Sequence, residues 1–119
     1  IAHKGLAELI LADDMRESKA KMAERADAFV VLPGGIGTLD ETCEIMTWRQ
    51  LGIHDKPIVI ADLKGYWTPF SAMLDNIINN GFMRKEDKAL AMVVNSVDDV
   101  LDSLEKAPKE SFDPSSKWI

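Results

Sequence analysis

The chain has 119 residues, 46% hydrophobic and 29% charged, with a formal net charge of −6 and a single cysteine, Cys43. That length holds one domain whose core needs no disulfide, and the lone cysteine excludes both an internal disulfide and a cysteine-rich zinc site. Lys and Arg are interspersed among acids, which argues against nucleic acid as a partner, and no apolar run reaches the length of a membrane span.

Leu6 to Ala12 is apolar enough for a short strand. Asp13-Asp14 opens a predicted helix through Ala26, with Met15, Lys19, Met22 and Ala26 on one face. Ala28 to Leu32 is wholly apolar, as expected of a strand covered on both faces. Pro33-Gly34-Gly35 stops it. A second helix is predicted from Leu39 to Leu51, ended by Gly52. Lys56-Pro57 leads into Ile58 to Ala61, another buried strand. Thr68-Pro69 starts a helix with Phe70, Met73, Leu74, Ile77 and Ile78 at helical spacing, stopped by Gly81. Met92 to Val94 is a last short strand. Ser96 caps a final helix, with Val97, Val100, Leu101 and Leu104 inward.

Strands alternating with helices predict an α/β fold: a Rossmann-like parallel sheet with helices on both faces and right-handed crossovers. Residues 1–106 form this domain and residues 107–119, rich in Pro, Ser and Lys, a C-terminal tail. Ligands of such folds bind outside the carboxyl ends of strands. That directs attention to the residues just after Leu11, Leu32, Ala61 and Val94.

Three glycines in four positions, Gly34, Gly35 and Gly37, stand between a strand and a helix. Glycines permit positive φ and close approach of a ligand to the backbone. Unpaired N–H groups and the dipole at the helix start favour an anion, and Thr38 adds a hydroxyl. The spacing is neither a P-loop nor GxGxxG. A tight turn without ligand is the other reading. Thr38-x-x-Glu41 also reads as a capping box, with Glu41 bonded only to the Thr38 backbone N–H. Local sequence leaves these readings open.

The longer string Pro33-Gly34-Gly35-Ile36-Gly37-Thr38-Leu39-Asp40-Glu41 resembles the PGGxGTxxE signature of the LONELY GUY family of cytokinin-activating phosphoribohydrolases, whose bacterial members carry the label "possible lysine decarboxylase". Asp14 to Lys19 resembles the family's DMxxRK segment, and Thr47 to Pro57 its TWxQLGxHxKP segment. Gly65-Tyr66-Trp67 and Asn80-Gly81-Phe82 match as well. The resemblance runs over roughly residues 3 to 105.

It implies hydrolysis of the N-glycosidic bond of a nucleoside 5′-monophosphate, AMP or its N6-prenylated form, to free base and ribose 5-phosphate. Gly34, Gly35, Gly37 and Thr38 would hold the phosphate. Glu41 would be the catalytic carboxylate, stabilising an oxocarbenium-like state and activating water. Ser18 stands where the family has a catalytic Arg, and it cannot supply that group's charge and donors. Arg16 and Lys19 are the nearby cations, with Arg16 about 200° around the helix from position 18. A nucleotide-binding module with little or no turnover is therefore the alternative. The resemblance also implies a homodimer and further βα units upstream of Ile1.

No cofactor is expected, since lysine decarboxylation would need a pyridoxal phosphate site that the resemblance does not supply. No metal is expected either: Asp13 and Asp14 lack a third ligand at suitable spacing, and read as a helix N-terminus. His54 reads as a loop or interface residue and His3 as structural. Trp48, Trp67 and Tyr66 read as core or dimer contacts, and Cys43 as a small buried hydrophobe. A free cysteine fits a cytoplasmic location. The opening Ile1-Ala2-His3-Lys4-Gly5 has no signal-peptide pattern.

Overall fold

A computed structural model of the chain describes residues 6–8 and 24–106. Four strands form one sheet in the order β1 (Leu6–Glu8), β2 (Ala28–Val31), β3 (Ile58–Ala61) and β4 (Met92–Val94), each parallel to its neighbour. The register sets Ala7 beside Phe29, Val30 beside Val59, and Ile60 beside Val93. Between and after the strands lie helices α1 (Ile36–Gln50), α2 (Thr68–Asn79) and α3 (Val97–Lys106), with short 3₁₀ turns at Leu63–Gly65 and Lys85–Leu90. The rest of the predicted first strand, most of the helix begun at Asp13, and the tail from residue 107 lie outside the described residues.

Side chains alternate across a strand, so each strand feeds two cores. Phe29, Val31, Ile58 and Ile60, each at most 1% exposed, meet Ile45 and Met46 of α1, with Trp67 and the half-buried Phe70 and Leu74 beside them. Val30, Val59 and Ala61 face the other way, onto Val100 and Leu104 of α3. Each large apolar side chain so buried contributes about 1.5–3 kcal/mol. The continuous apolar runs of β2 and β3 are thus explained by helices on both faces.

Two helices end as expected from glycine. Gly52, at φ 79°, donates to the Arg49 carbonyl while Ile53 donates to that of Trp48, and Gly81, at φ 83°, repeats the pattern with Ile78 and Ile77. Both are Schellman motifs, which need a left-handed residue just past the helix. Ser96 caps α3 by accepting from the Asp99 N–H at 3.1 Å.

Three expectations need correction. Helix α1 begins at Ile36, not Leu39, with Gly35 as its N-cap. Val97 is 60% exposed rather than inward, the packed face of α3 being carried by Val100 and Leu104. Cys43 is exposed, not buried. The inward stripe of α1 is Thr38, Glu41, Thr42, Ile45, Met46 and Arg49, and Cys43 lies about 100° around the helix from Thr42.

Candidate active site

Strand β2 delivers the chain at the carboxyl rim of the sheet, where Pro33-Gly34-Gly35 turns it into α1. The first intrahelical hydrogen bond runs from the Leu39 N–H to the Gly35 carbonyl, at 3.1 Å. The N–H groups of Ile36, Gly37 and Thr38 therefore precede the helical ladder. Gly35, the N-cap, has no side chain with which to cap this end, and no acid occupies the first turn. The capping-box reading fails, because Thr38 is the third residue inside the helix rather than its cap.

The loop glycines are not there for left-handed φ: among described glycines positive φ occurs only at Gly52, Gly65 and Gly81. Space is the reason instead. A Cβ at Gly34 would lie 2.3 Å from Thr38 Oγ1 and 2.9 Å from its Cβ. Gly34 is thus the partner against which Thr38 packs. Cβ atoms at Gly35 or Gly37 would meet no described atom within 4 Å, and both glycines are exposed. Thr38 is 3% exposed, its hydroxyl beside Gly34.

Glu41, 5% exposed, follows one turn later on the same stripe as Thr38. Its Cα is about 7–8 Å along the axis from the start of α1 at 1.5 Å per residue. Glu44, another turn on, is half-buried. The structure thus brings Gly34, Gly35, Gly37, Thr38 and Glu41 to one helix start. Arg16, Ser18 and Lys19 lie outside the described residues.

A second loop reaches the same place from the end of β3. Asp62, 8% exposed, accepts from the Trp67 N–H at 2.6 Å and from the Thr68 hydroxyl at 2.7 Å. Lys64 and Gly65, at φ 54° and 74°, turn the chain back. Trp67 enters the core, as expected, and Trp48 packs half-buried against it. Tyr66 does neither: it is 50% exposed, and its hydroxyl donates to the Gly34 carbonyl. Sequence reasoning missed this contact. Its only trace was the proximity of both segments to strand ends.

Several polar groups away from the glycine turn bond within the protein. His54 is buried and packs edge-on against Phe29, ring centroids 5.5 Å apart. Its Nδ1 accepts from the Lys56 N–H, so Nε2 carries the proton and donates to the Ile45 carbonyl, both at 3.0 Å. Burial is the main cause lowering its pKa, partly opposed by the Ile45 carbonyl. The Cys43 thiol is pushed up, first by loss of surrounding water and then by the Asp40 charge, which disfavours a nucleophilic thiolate. Arg49 donates to the Leu90 carbonyl at 2.7 Å, and Asp87, 1% exposed, accepts from Gln50 and Arg84. These tie the far end of α1 to the 3₁₀ turn. Among the described residues no helix is long and apolar enough to cross a membrane.

The family profile described as possible lysine decarboxylase matches residues 1–104. A probable cytokinin riboside 5′-monophosphate phosphoribohydrolase of Oryza sativa subsp. japonica is 36% identical over 99% of this chain and 49% of its own length. Two cytokinin riboside 5′-monophosphate phosphoribohydrolases of Arabidopsis thaliana are 36% identical over 88% of the chain and 34% identical over all of it, matching 49% and 55% of their own lengths. The chain spans about half the length of these relatives. With the glycine turn, Thr38 and Glu41 gathered at one helix start, these matches establish that the chain belongs to the LONELY GUY family, the group also described as possible lysine decarboxylases.

Proposed function

We propose that this protein hydrolyses the N-glycosidic bond of a nucleoside 5′-monophosphate, releasing the base and ribose 5-phosphate. Cytokinin riboside 5′-monophosphates, after which the plant relatives are named, and AMP are the substrate class. The observation that carries this reading is the start of α1, with Gly35 as its N-cap and both Gly35 and Gly37 exposed, and the buried Glu41 one turn beyond Thr38.

The phosphate rests against the first-turn N–H groups, where the helix dipole favours an anion by about 0.3–1 kcal/mol, or up to about 2 when partly buried. Anchored there, the ribose presents its anomeric carbon to Glu41. As the C1′–N bond lengthens, its electron pair passes to the base, which takes a proton from solvent water. The carboxylate stabilises the oxocarbenium-like sugar and takes a proton from the attacking water, whose oxygen bonds to C1′.

Incubation with AMP and an N6-prenylated AMP, with chromatography for free base, tests the reading. Base release is expected, and Glu41→Gln abolishes it while calorimetry finds mononucleotide affinity retained. An active Glu41→Gln refutes the assigned role. Ser18 at the family's Arg position supports a second reading, a binding module without turnover. Binding of AMP with no base released by the unmodified chain would select it.

A homodimer in the cytoplasm completes the proposal. Helix α2 leaves Phe70, Leu74, Ile77 and Ile78 half-buried and Met73 exposed, apolar surface suited to a second copy.

A further inference from the structure

We propose that Tyr66 is a positioning residue that pins the Gly34–Gly35 peptide, holding the Gly35 N–H on the anion side of the helix start. The functional part of this inference rests on the nucleotide reading above.

The peptide between Gly34 and Gly35 has glycine on both sides, so it is the unit of the turn most free to rotate. In a planar trans peptide the C=O and the following N–H point in opposite directions. The Tyr66 hydroxyl donates to the Gly34 carbonyl, and this fixes the Gly35 N–H on the side away from Tyr66. A flip would turn the carbonyl to that side, setting an acceptor where an anion needs a donor.

Tyr66 is itself held. Its ring lies edge-on to Trp67, centroids 5.0 Å apart, and Trp67 is fixed in the core at 7% exposure. Asp62 clamps the next two residues through the Trp67 N–H and the Thr68 hydroxyl. Each loop follows its own strand, β2 or β3, so adjacent strand ends hold both partners in register. Tyr66 acts through the peptide and touches no reacting atom.

Tyr66→Phe in the full chain keeps the ring and removes the hydroxyl. The Gly35 amide resonance is expected to be single and sharp in the unmodified protein, and doubled or broadened in the variant. AMP affinity should fall about five- to tenfold, the worth of one hydrogen bond. KM should rise by the same factor with kcat unchanged, since the phosphate is held alike before and during reaction. The melting temperature should hardly move. Asp62→Ala, which releases the loop, should reproduce the Gly35 broadening.

An unaltered Gly35 resonance in both variants, or unaltered AMP affinity in Tyr66→Phe when the unmodified chain binds AMP, overturns the proposal. If the unmodified chain binds no AMP, the nucleotide reading fails alone. The Gly35 resonance then still decides whether Tyr66 pins the turn.

Discussion

Alanine at Gly34 and alanine at Gly37 should have opposite effects on stability and the same effect on nucleotide binding. At Gly34 the new Cβ falls 2.3 Å from Thr38 Oγ1, 2.9 Å from its Cβ and 3.2 Å from its Cγ2. Relaxed carbon contacts sit at about 3.5–4.0 Å. Thr38 is 3% exposed and cannot swing aside without moving the first turn of α1. Overpacking of this kind costs about 1–3 kcal/mol. Gly37 is the second residue of α1, without positive φ, and its Cβ would enter open space. Alanine there removes glycine's entropic penalty and stabilises by about 0.5–1 kcal/mol. The two variants should therefore differ by about 1.5–4 kcal/mol. Urea unfolding measures this as a shift in midpoint at constant slope. Calorimetry with AMP should find both weakened, Gly34→Ala because the turn is displaced and Gly37→Ala because its methyl occupies ligand space. Coincident midpoints would remove the steric account of Gly34. Full AMP affinity in Gly37→Ala would mean that the open surface is not where the nucleotide lies.

His54 makes stability depend on pH. Its folded pKa is lowered from the ordinary 6.5 mainly by burial, so the unfolded chain takes up the proton first as pH falls. Its contribution is present above about pH 6.5 and is lost as pH drops through the folded value. Urea midpoints for the unmodified chain and His54→Gln should therefore diverge above that window and approach each other below it; parallel curves would refute this. Asp87→Ala strips Gln50 and Arg84 of their shared acceptor and should cost about 1.5–3 kcal/mol by urea unfolding. An unchanged midpoint would make the cluster ornamental. Cys43 should react with a maleimide in the folded protein, but more slowly at neutral pH than a free thiol, and faster as pH rises toward and beyond 9. A thiol that reacts only after unfolding would restore the buried reading.

Glycine and apolar runs were legible because their meaning is local. Gly52 and Gly81 end helices through their own backbone conformation, and Ser96 caps through its own hydroxyl. The facing of α1 was illegible for a stated reason. Four of the six residues on its buried stripe, Thr38, Glu41, Thr42 and Arg49, are polar, so hydropathy does not mark the inward side. Cys43 was misplaced for that reason. The start of α1 was misjudged because Gly35 and Gly37 read as loop, whereas the packing of Thr38 under Gly34 draws them into the turn.

The order of residues alone determined the alternation of strands and helices, their stops, and the family's signature, since each is carried by neighbours along the chain. Only the tertiary structure decided which carbonyl Tyr66 would hold, 32 residues away, and that Arg49 would reach Leu90 across 41. Such partners meet because parallel strands bring distant segments to a common rim, and no local pattern encodes where that rim will be.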